Sequence, residues 1–222
     1  MATLYLVRHA QASLGASDYD QLSPLGLRQS VRLGHYFASR RLNFDTVVTG
    51  TLRRHAQTLA GISEGLNLPL LAAPWPGLNE YDSQALIAAI KPEPLTDVSS
   101  DALYRQHFRL LRQALLKWML GHTLPVGLPD WQAFRQGVVD VLQHIQTSGA
   151  QNVLLVSSGG PIACAISHVL ATPPESTVEL NMRLRNTSVT ELTVTPKHLT
   201  LQTYNTLPHL EAAEFDSWIT HA

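Results

Sequence analysis

The sequence predicts an α/β fold, a three-layer αβα sandwich with a mainly parallel sheet and a helical insertion. Three observations predict it. Short apolar runs, "TLYLV" (3–7), "FDTVVTG" (44–50) and "NVLLVSSGG" (152–160), end in polar or glycine residues. Continuous Val/Leu runs of this kind suit strands buried on both faces, because neither face has to be polar. Segments of helical pattern separate them, and strands alternating with helices argue for parallel pairing. The 222 residues, 45% hydrophobic and only 15% charged, are enough to fill one such core, and that composition excludes a disordered chain.

The elements follow in order. The first strand, 3–7, runs into Arg8-His9. The helix over 23–41, "SPLGLRQSVRLGHYFASRR", opens with a serine N-cap and a proline at its first position, where the missing N–H costs nothing. The second strand ends at Thr49-Gly50, and a helix over 51–66 follows. From about 84 to 144 no strand is evident. Helical segments at 101–120 and 130–149 are joined by the Pro/Gly loop "GHTLPVGLPD". Residues 84–130 are expected to form an insertion over one edge of the sheet, and 130–149 a helix flanking it. The third strand ends in "SSGG" and feeds a helix over 160–171. Two segments enriched in β-branched residues, 187–195 and 198–206, are expected to be antiparallel neighbours joined at Pro196-Lys197. One domain over 1–222 is expected.

Bulk properties exclude several functions. The formal charge is −1 and no basic block stands out, so binding to nucleic acid or an anionic membrane by bulk electrostatics is not expected. The N-terminal "MATLYLVRHA" has no basic region ahead of a long apolar stretch, so no signal peptide is expected and a cytoplasmic location is the default. Cys164 is the single cysteine and sits in an apolar run as a small filler.

In open α/β sheets, ligands bind beyond the carboxyl ends of the strands. Arg8-His9, Thr49-Gly50 and Ser157 to Gly160 stand at those ends. A helix starting near Gly160 adds unpaired backbone N–H groups and a positive dipole end. Together these features describe an anion pocket, and phosphate is the commonest such anion. His9 alone is weak evidence, but a buried arginine beside it needs an acidic partner or an anionic ligand, and no Asp or Glu lies nearby in sequence. Arg54 is either a third pocket residue or a solvated helix arginine like Arg53. Competing motifs fail. "SSGGPIAC" has neither P-loop nor G-x-S-x-G spacing, and the ten histidines show no metal-binding spacing. Neither a metal nor another cofactor is expected.

These residues resemble the histidine phosphatase superfamily, the phosphoglycerate mutase-like family. Its Arg-His-Gly appears here as Arg8-His9-Ala10. "LSPLGLRQS" is similar to L-S-x-x-G-x-x-Q-A, "TLRRHAQTLA" to P-L-x-R-A-x-Q-T-A with Arg54 as the second arginine, "LNE" to the acidic motif with Glu80, and "VLLVSSGGPI" to V-L-V-V-S-H-G-G-V-I. "RNTSVTEL" and "YNTLPHL" also have counterparts. The resemblance implies a phosphomonoesterase with a phosphohistidine intermediate: His9 as nucleophile, Glu80 as proton donor and then base, and Arg8, Arg54, Ser158 and Gly159 around the phosphate. It implies a small phosphorylated substrate, no cofactor, and a possible homodimer.

The chain departs from the family pattern at three positions. Ala10 replaces glycine. Gly15 stands where many members carry a phosphate-contacting asparagine. Ser158 stands where the family has its second histidine, which implies reduced activity, with His168 too far along the next helix to substitute. A silent phospho-ligand-binding protein is the alternative reading. A mutase is a weaker one, since the Trp-Asn pair of the family's mutases is absent from "ASLGASDYD". Residues 84–130 would form the wall that selects the leaving group. Arg105, Arg109 and Arg112 lie on one helix face there, either holding a second anionic group or simply solvated.

Overall fold

Strand β1 (Ala2–Arg8) lies inside a six-stranded sheet with β2 (Thr46–Thr49), β3 (Ala73–Pro74), β4 (Asn152–Ser157), β5 (Val189–Val194) and β6 (Leu199–Thr206), in the order β3-β2-β4-β1-β5-β6. The computed structural model describes residues 1–13, 20–91 and 100–221, with side chains from residue 105 onward in the helix that begins at Ser100. Gly15 lies outside the described residues. The pairings of β1, β2, β3 and β4 are parallel, and β5 runs antiparallel to both β1 and β6. The two C-terminal strands are therefore the expected antiparallel neighbours. The two-residue β3 was not legible in the sequence. Its proline sits at the sheet edge, where a missing ladder N–H is tolerated.

Alternation along β1 explains its unbroken apolar run. Leu4 and Leu6 enter one core with Val153, Leu155 and Leu192, under helices α5 (Trp131–Thr147) and α6 (Gly159–Leu170). Tyr5 and Val7 enter the other with Leu154 and Val156, under α1 (Pro24–Ser39) and α2 (Arg53–Leu66). The central strands β1 and β4 each feed both cores, so their middle positions leave no place for a polar side chain. Helix α1 begins as expected, with Ser23 accepting from the Gly26 N–H at 3.0 Å and Pro24 at the first position.

Helices α1 and α2 touch through glycines. A methyl group at Gly65 would stand 2.1 Å from the Val31 carbonyl oxygen. Gly65→Ala is expected to cost about 1–3 kcal/mol by overpacking. At about 2–4 °C per kcal/mol for a chain of this size, thermal unfolding will register the loss.

The insertion differs from expectation. Among the described residues, helices α3 (Ser83–Ala88) and α4 (Ser100–Met119) pack on other helices and loops and not on an edge strand. The buried face of α4, Leu111, Ala114, Leu115 and Trp118, meets Tyr81, Leu86, Ile87 and Val178, with Trp131 and Phe134 of α5 at its margin. Val178 belongs to α7 (Pro174–Arg183), a helix the sequence reading did not identify. The insertion therefore forms a third core built of helices and loops, beside the sandwich. Among the described residues no helix is long and apolar enough to cross a membrane.

Candidate active site

Strands β2, β4 and β1 are parallel neighbours, so their carboxyl ends meet at one edge. Arg8 pairs with Ser157 in register, and the His9 N–H donates to the Ser157 carbonyl at 2.8 Å. His9 and Ser158 are thus the next residues on adjacent strand ends, side by side. His9 is 3% exposed. Its Nδ1 lies 2.8 Å from the Ala10 carbonyl oxygen. A carbonyl only accepts, so the ring proton sits on Nδ1 and the lone pair stays on Nε2. Burial holds the His9 pKa well below the ordinary imidazole range, and Arg8 and Arg54 add to this by their charge. The result is a neutral imidazole with one basic nitrogen, fixed in place and set beside two cations. Its neighbour is also braced: the Ala10 N–H donates to Thr58 Oγ1 at 3.0 Å, and that hydroxyl donates to the Arg54 carbonyl at 2.7 Å.

Arg8 is buried and one of its guanidinium nitrogens donates to the Leu184 carbonyl. Arg54 lies in the first turn of α2, inside the pocket and unlike a solvated helix arginine. Its Nη1 meets Asp20 Oδ1 at 2.8 Å. The same carboxylate accepts from the Arg53 N–H at 2.9 Å. Asp20 therefore caps a helix whose own N-cap residue, Leu52, has no side chain to do so. Nothing local in the sequence marks Asp20 for this task.

Glu80 follows a short 3-10 turn (Pro76–Leu78), and its carboxylate is received at the N-terminus of α6. The Gly160 N–H donates to Oε1 at 3.1 Å and Oε2 at 3.2 Å. Only glycine fits here, because a methyl at position 160 would stand 2.2 Å from Oε1. Burial raises the Glu80 pKa, against the pull of Arg54, the Gly160 N–H and Arg8. The α6 N-terminus, expected to face a bound anion, thus already gives its Gly160 N–H to an internal carboxylate. Gly159 packs against Asn181, whose Oδ1 would stand 2.5 Å from a methyl at 159. Asn181 Nδ2 in turn donates to the Tyr81 hydroxyl at 2.5 Å. The fold thus gathers Arg8, His9, Arg54 and Glu80 at one place, with Ser158 and Gly159 beside them.

Ser158 occupies the N-cap position of α6 in extended conformation, without a side-chain capping bond, and is fully buried. Its Oγ lies 2.7 Å from Nε2 of His55, also fully buried. The rings of His55 and His9 are 5.8 Å apart. The sequence reading passed over His55, although it shares the buried stripe of α2 with Leu59 and Ile62. His168 is elsewhere, with its ring nitrogen against Arg135 at 3.1 Å. Arg112 pairs with Glu179, while Arg105 and Arg109 are exposed. Among the described residues no group of three His, Cys, Asp or Glu could hold a metal ion.

A second turn supports the site from behind. Asn186 Nδ2 donates to the His9 carbonyl at 3.1 Å, and the Thr187 N–H to that of Arg8 at 3.1 Å. Thr187 is held in the left-handed region, at φ 56°, and its hydroxyl meets buried His209 Nε2 at 2.9 Å.

Three buried neutral imidazoles carry a prediction. Burial brings His55 down to about 3, helped by Arg54, and His209 to about 3, helped by Arg32. His9 moves the same way. Below 6.5 the unfolded chain binds protons at these residues that the folded chain refuses. Stability therefore rises with pH through the window, and is lost as pH falls from 6.5 toward about 3. Each contributes about 1.4 kcal/mol per pH unit. Glu80 acts in the opposite sense above 4.5, because its folded carboxyl keeps a proton that the unfolded one releases. Three histidines against one glutamate give a net expectation that Tm falls by several degrees between pH 7 and pH 5, measured by thermal unfolding across buffers.

Comparison with known proteins gives the family and the fold. Residues 4–207 match the family model of the histidine phosphatase superfamily (branch 1). A protein of Hydrogenobacter thermophilus named as a candidate phosphoserine phosphatase is 26% identical over 223 residues, covering 94% of this chain and 98% of its own. A broad-specificity phosphatase of Saccharomyces cerevisiae is 36% identical over 63 residues, 26% of this chain and 27% of its own. In fold, the chain is similar to the phosphoserine phosphatase of Entamoeba histolytica solved with 3-phosphoglyceric acid, with a TM-score of 0.66 at 20% identity, covering 95% of this chain and 100% of that one.

Proposed function

Because the chain belongs to the histidine phosphatase superfamily (branch 1), we propose that it is a phosphomonoesterase that works through a phosphohistidine at His9 on a small phosphorylated substrate. The observation that carries this reading is the neutral His9 imidazole, with Nε2 left basic, set between the charges of Arg8 and Arg54 and within the same field as Glu80. In the first step Nε2 attacks phosphorus and the ester P–O bond breaks. The raised Glu80 carboxyl gives its proton to the leaving alkoxide. In the second, water attacks phosphorus, Glu80 takes the water proton, and the P–N electrons return to Nε2. Arg8 and Arg54 supply planar donors to the equatorial oxygens, where phosphoryl transfer needs mainly positioning and charge neutralisation.

By this reading Ser158 stands where the family has its second histidine, and turnover is slow for that reason. Loss of one donor to a transition-state oxygen typically costs about 10²–10³ in rate. The same serine supports the alternative, a protein that holds a phosphorylated ligand without turning it over. A panel of phosphomonoesters with rapid acid and alkaline quenching separates the two. The expected result is turnover with a phosphoenzyme that is labile to acid and stable to alkali. Tight binding of phosphate or vanadate with no hydrolysis from pH 5 to 8 would establish the silent protein instead.

A further inference from the structure

The steps above need the His9 ring held in one tautomer and one direction, and the Ala10 carbonyl oxygen does this. That oxygen belongs to the Ala10–Gln11 peptide, whose other polar group is the Gln11 N–H. A peptide unit is planar, so whatever holds the N–H also aims the carbonyl at the ring. The Gln11 N–H donates to Gln29 Oε1 at 2.9 Å. Gln29 lies on α1 with no exposed surface. Its amide nitrogen reaches residues far along the chain, donating to the Trp218 carbonyl at 2.7 Å and to Thr220 Oγ1 at 3.0 Å. The Thr220 hydroxyl donates in turn to Asn186 Oδ1 at 2.9 Å, and Asn186 Nδ2 donates to the His9 carbonyl at 3.1 Å. A circuit of hydrogen bonds thus leaves the backbone at Gln11 and returns to it at His9.

The two backbone ends set the direction of every bond in the circuit. The Gln11 N–H can only donate, so Gln29 presents oxygen to it and nitrogen to Thr220. The His9 carbonyl can only accept, so Asn186 presents nitrogen to it and oxygen to Thr220. Residue 220 therefore has to accept on one side and donate on the other. A hydroxyl does both with one atom, and a methyl group does neither. The surrounding contacts bring this hydroxyl into place independently of its own bonds. The Asn186 N–H donates to the Thr220 carbonyl at 2.9 Å. Arg28 lies over the Trp218 ring at 5.1 Å and Arg32 over the Phe215 ring at 4.5 Å. These cation–π contacts seat the turn Ala213–Trp218 on α1.

We infer that Thr220 is a positioning residue for His9, closing the circuit that fixes the two peptides following the nucleophile and, through them, the direction and tautomer of its ring. This rests on the phosphatase reading and deepens it. Thr220 acts through Gln29 on the peptide that orients the imidazole, and through Asn186 on the peptide that carries it.

The test is Thr220→Val in the full-length protein, with Thr220→Ser as the variant that keeps the hydroxyl. Valine keeps the shape of threonine and leaves the backbone bond from Asn186 in place, so the segment stays seated. NMR of isotope-labelled histidine distinguishes an Nδ1–H ring from an Nε2–H ring, and loss of signal in His9→Ala assigns the residue. In wild type the Nδ1–H form of His9 is expected alone. In Thr220→Val the Nε2–H form is expected beside it, because the peptide tilts and the Nδ1–H bond weakens. With the substrate turned over best, kcat is expected to fall about 10–100-fold, the scale of a small misplacement of a reacting group, with KM changed less than about threefold. Thr220→Ser is expected to keep the wild-type tautomer and a kcat within about threefold of wild type. Asn186→Leu breaks the same circuit and is expected to shift the tautomer likewise. Adding Thr220→Val to it is expected to cost nothing further in kcat, because the two residues act as one unit. All rates are taken where thermal unfolding shows each variant fully folded, which separates positioning from stability.

A folded Thr220→Val with the wild-type tautomer and kcat would overturn the inference and leave the phosphatase reading standing. So would a Thr220→Ser that loses as much as Thr220→Val, a change confined to KM, or a further loss in the double variant. Absence of turnover in the wild type would overturn the phosphatase reading, and the His9 tautomer in Thr220→Val would still decide whether Thr220 sets the ring.

Discussion

His9→Ala is expected to lower kcat/KM on any phosphomonoester the protein hydrolyses by about 10⁴-fold or more. The substitution removes the attacking nitrogen and leaves the rest of the anion site in place. Arg8 keeps its bond to the Leu184 carbonyl, Arg54 its pairing with Asp20, and Glu80 its cradle at Gly160. Phosphate or vanadate affinity should therefore stay within about tenfold of wild type, since it is set largely by the two guanidinium groups. Stability should change little, because the one hydrogen bond of the ring goes to the adjacent residue and not across the fold. Loss of turnover with anion binding retained is the signature of a missing nucleophile. A variant that keeps a tenth of the wild-type rate would require a different nucleophile.

Glu80→Gln is expected to cost about 10²–10⁴ in kcat, the usual worth of a positioned general acid and base, and the loss should depend on the leaving group. An alkyl alkoxide needs a proton as it departs, while an aryl phosphate leaves as a more stable phenoxide. The loss should be larger for alkyl than for aryl phosphates. The pH profile gives a second readout. The raised Glu80 pKa keeps the acid form above its ordinary 4.5, so activity should fall as pH rises through that raised value. The acid limb belongs to His9 and lies well below 6.5. In Glu80→Gln the basic limb should disappear and the acid limb remain. Equal losses on alkyl and aryl substrates would assign Glu80 to binding rather than proton transfer.

What the sequence disclosed, and what it withheld, follows from distance along the chain. Arg8 and His9 were legible because β1 fills two cores by simple alternation, so a cation and an imidazole at its end demanded a reason. The Ser23-Pro24 helix start and the final antiparallel pair depend on local chemistry and stand as expected. Asp20 was not legible, because its partner Arg54 is 34 residues away and its role as a cap exists only once α2 is in place. The placement of the insertion was not legible either. Its apolar face fits Val178 and the residues around Tyr81, and α7 has to be known before that fit can be seen. His55 lies between these cases. Its place on the apolar stripe of α2 was readable, and a buried histidine there calls for a partner. The identity of that partner came only from the fold.

The close packing of Gly50 on His55 constrains the order in which substitutions can accumulate around this pocket. With the imidazole in place, a methyl group at position 50 would stand 2.3 Å from its Nδ1 and 2.8 Å from Asn79 Oδ1. A small residue at 55 relieves the first contact and leaves the second. Positions 50, 55 and 79 therefore do not vary independently: a side chain at 50 is harmful until both of the other residues give way.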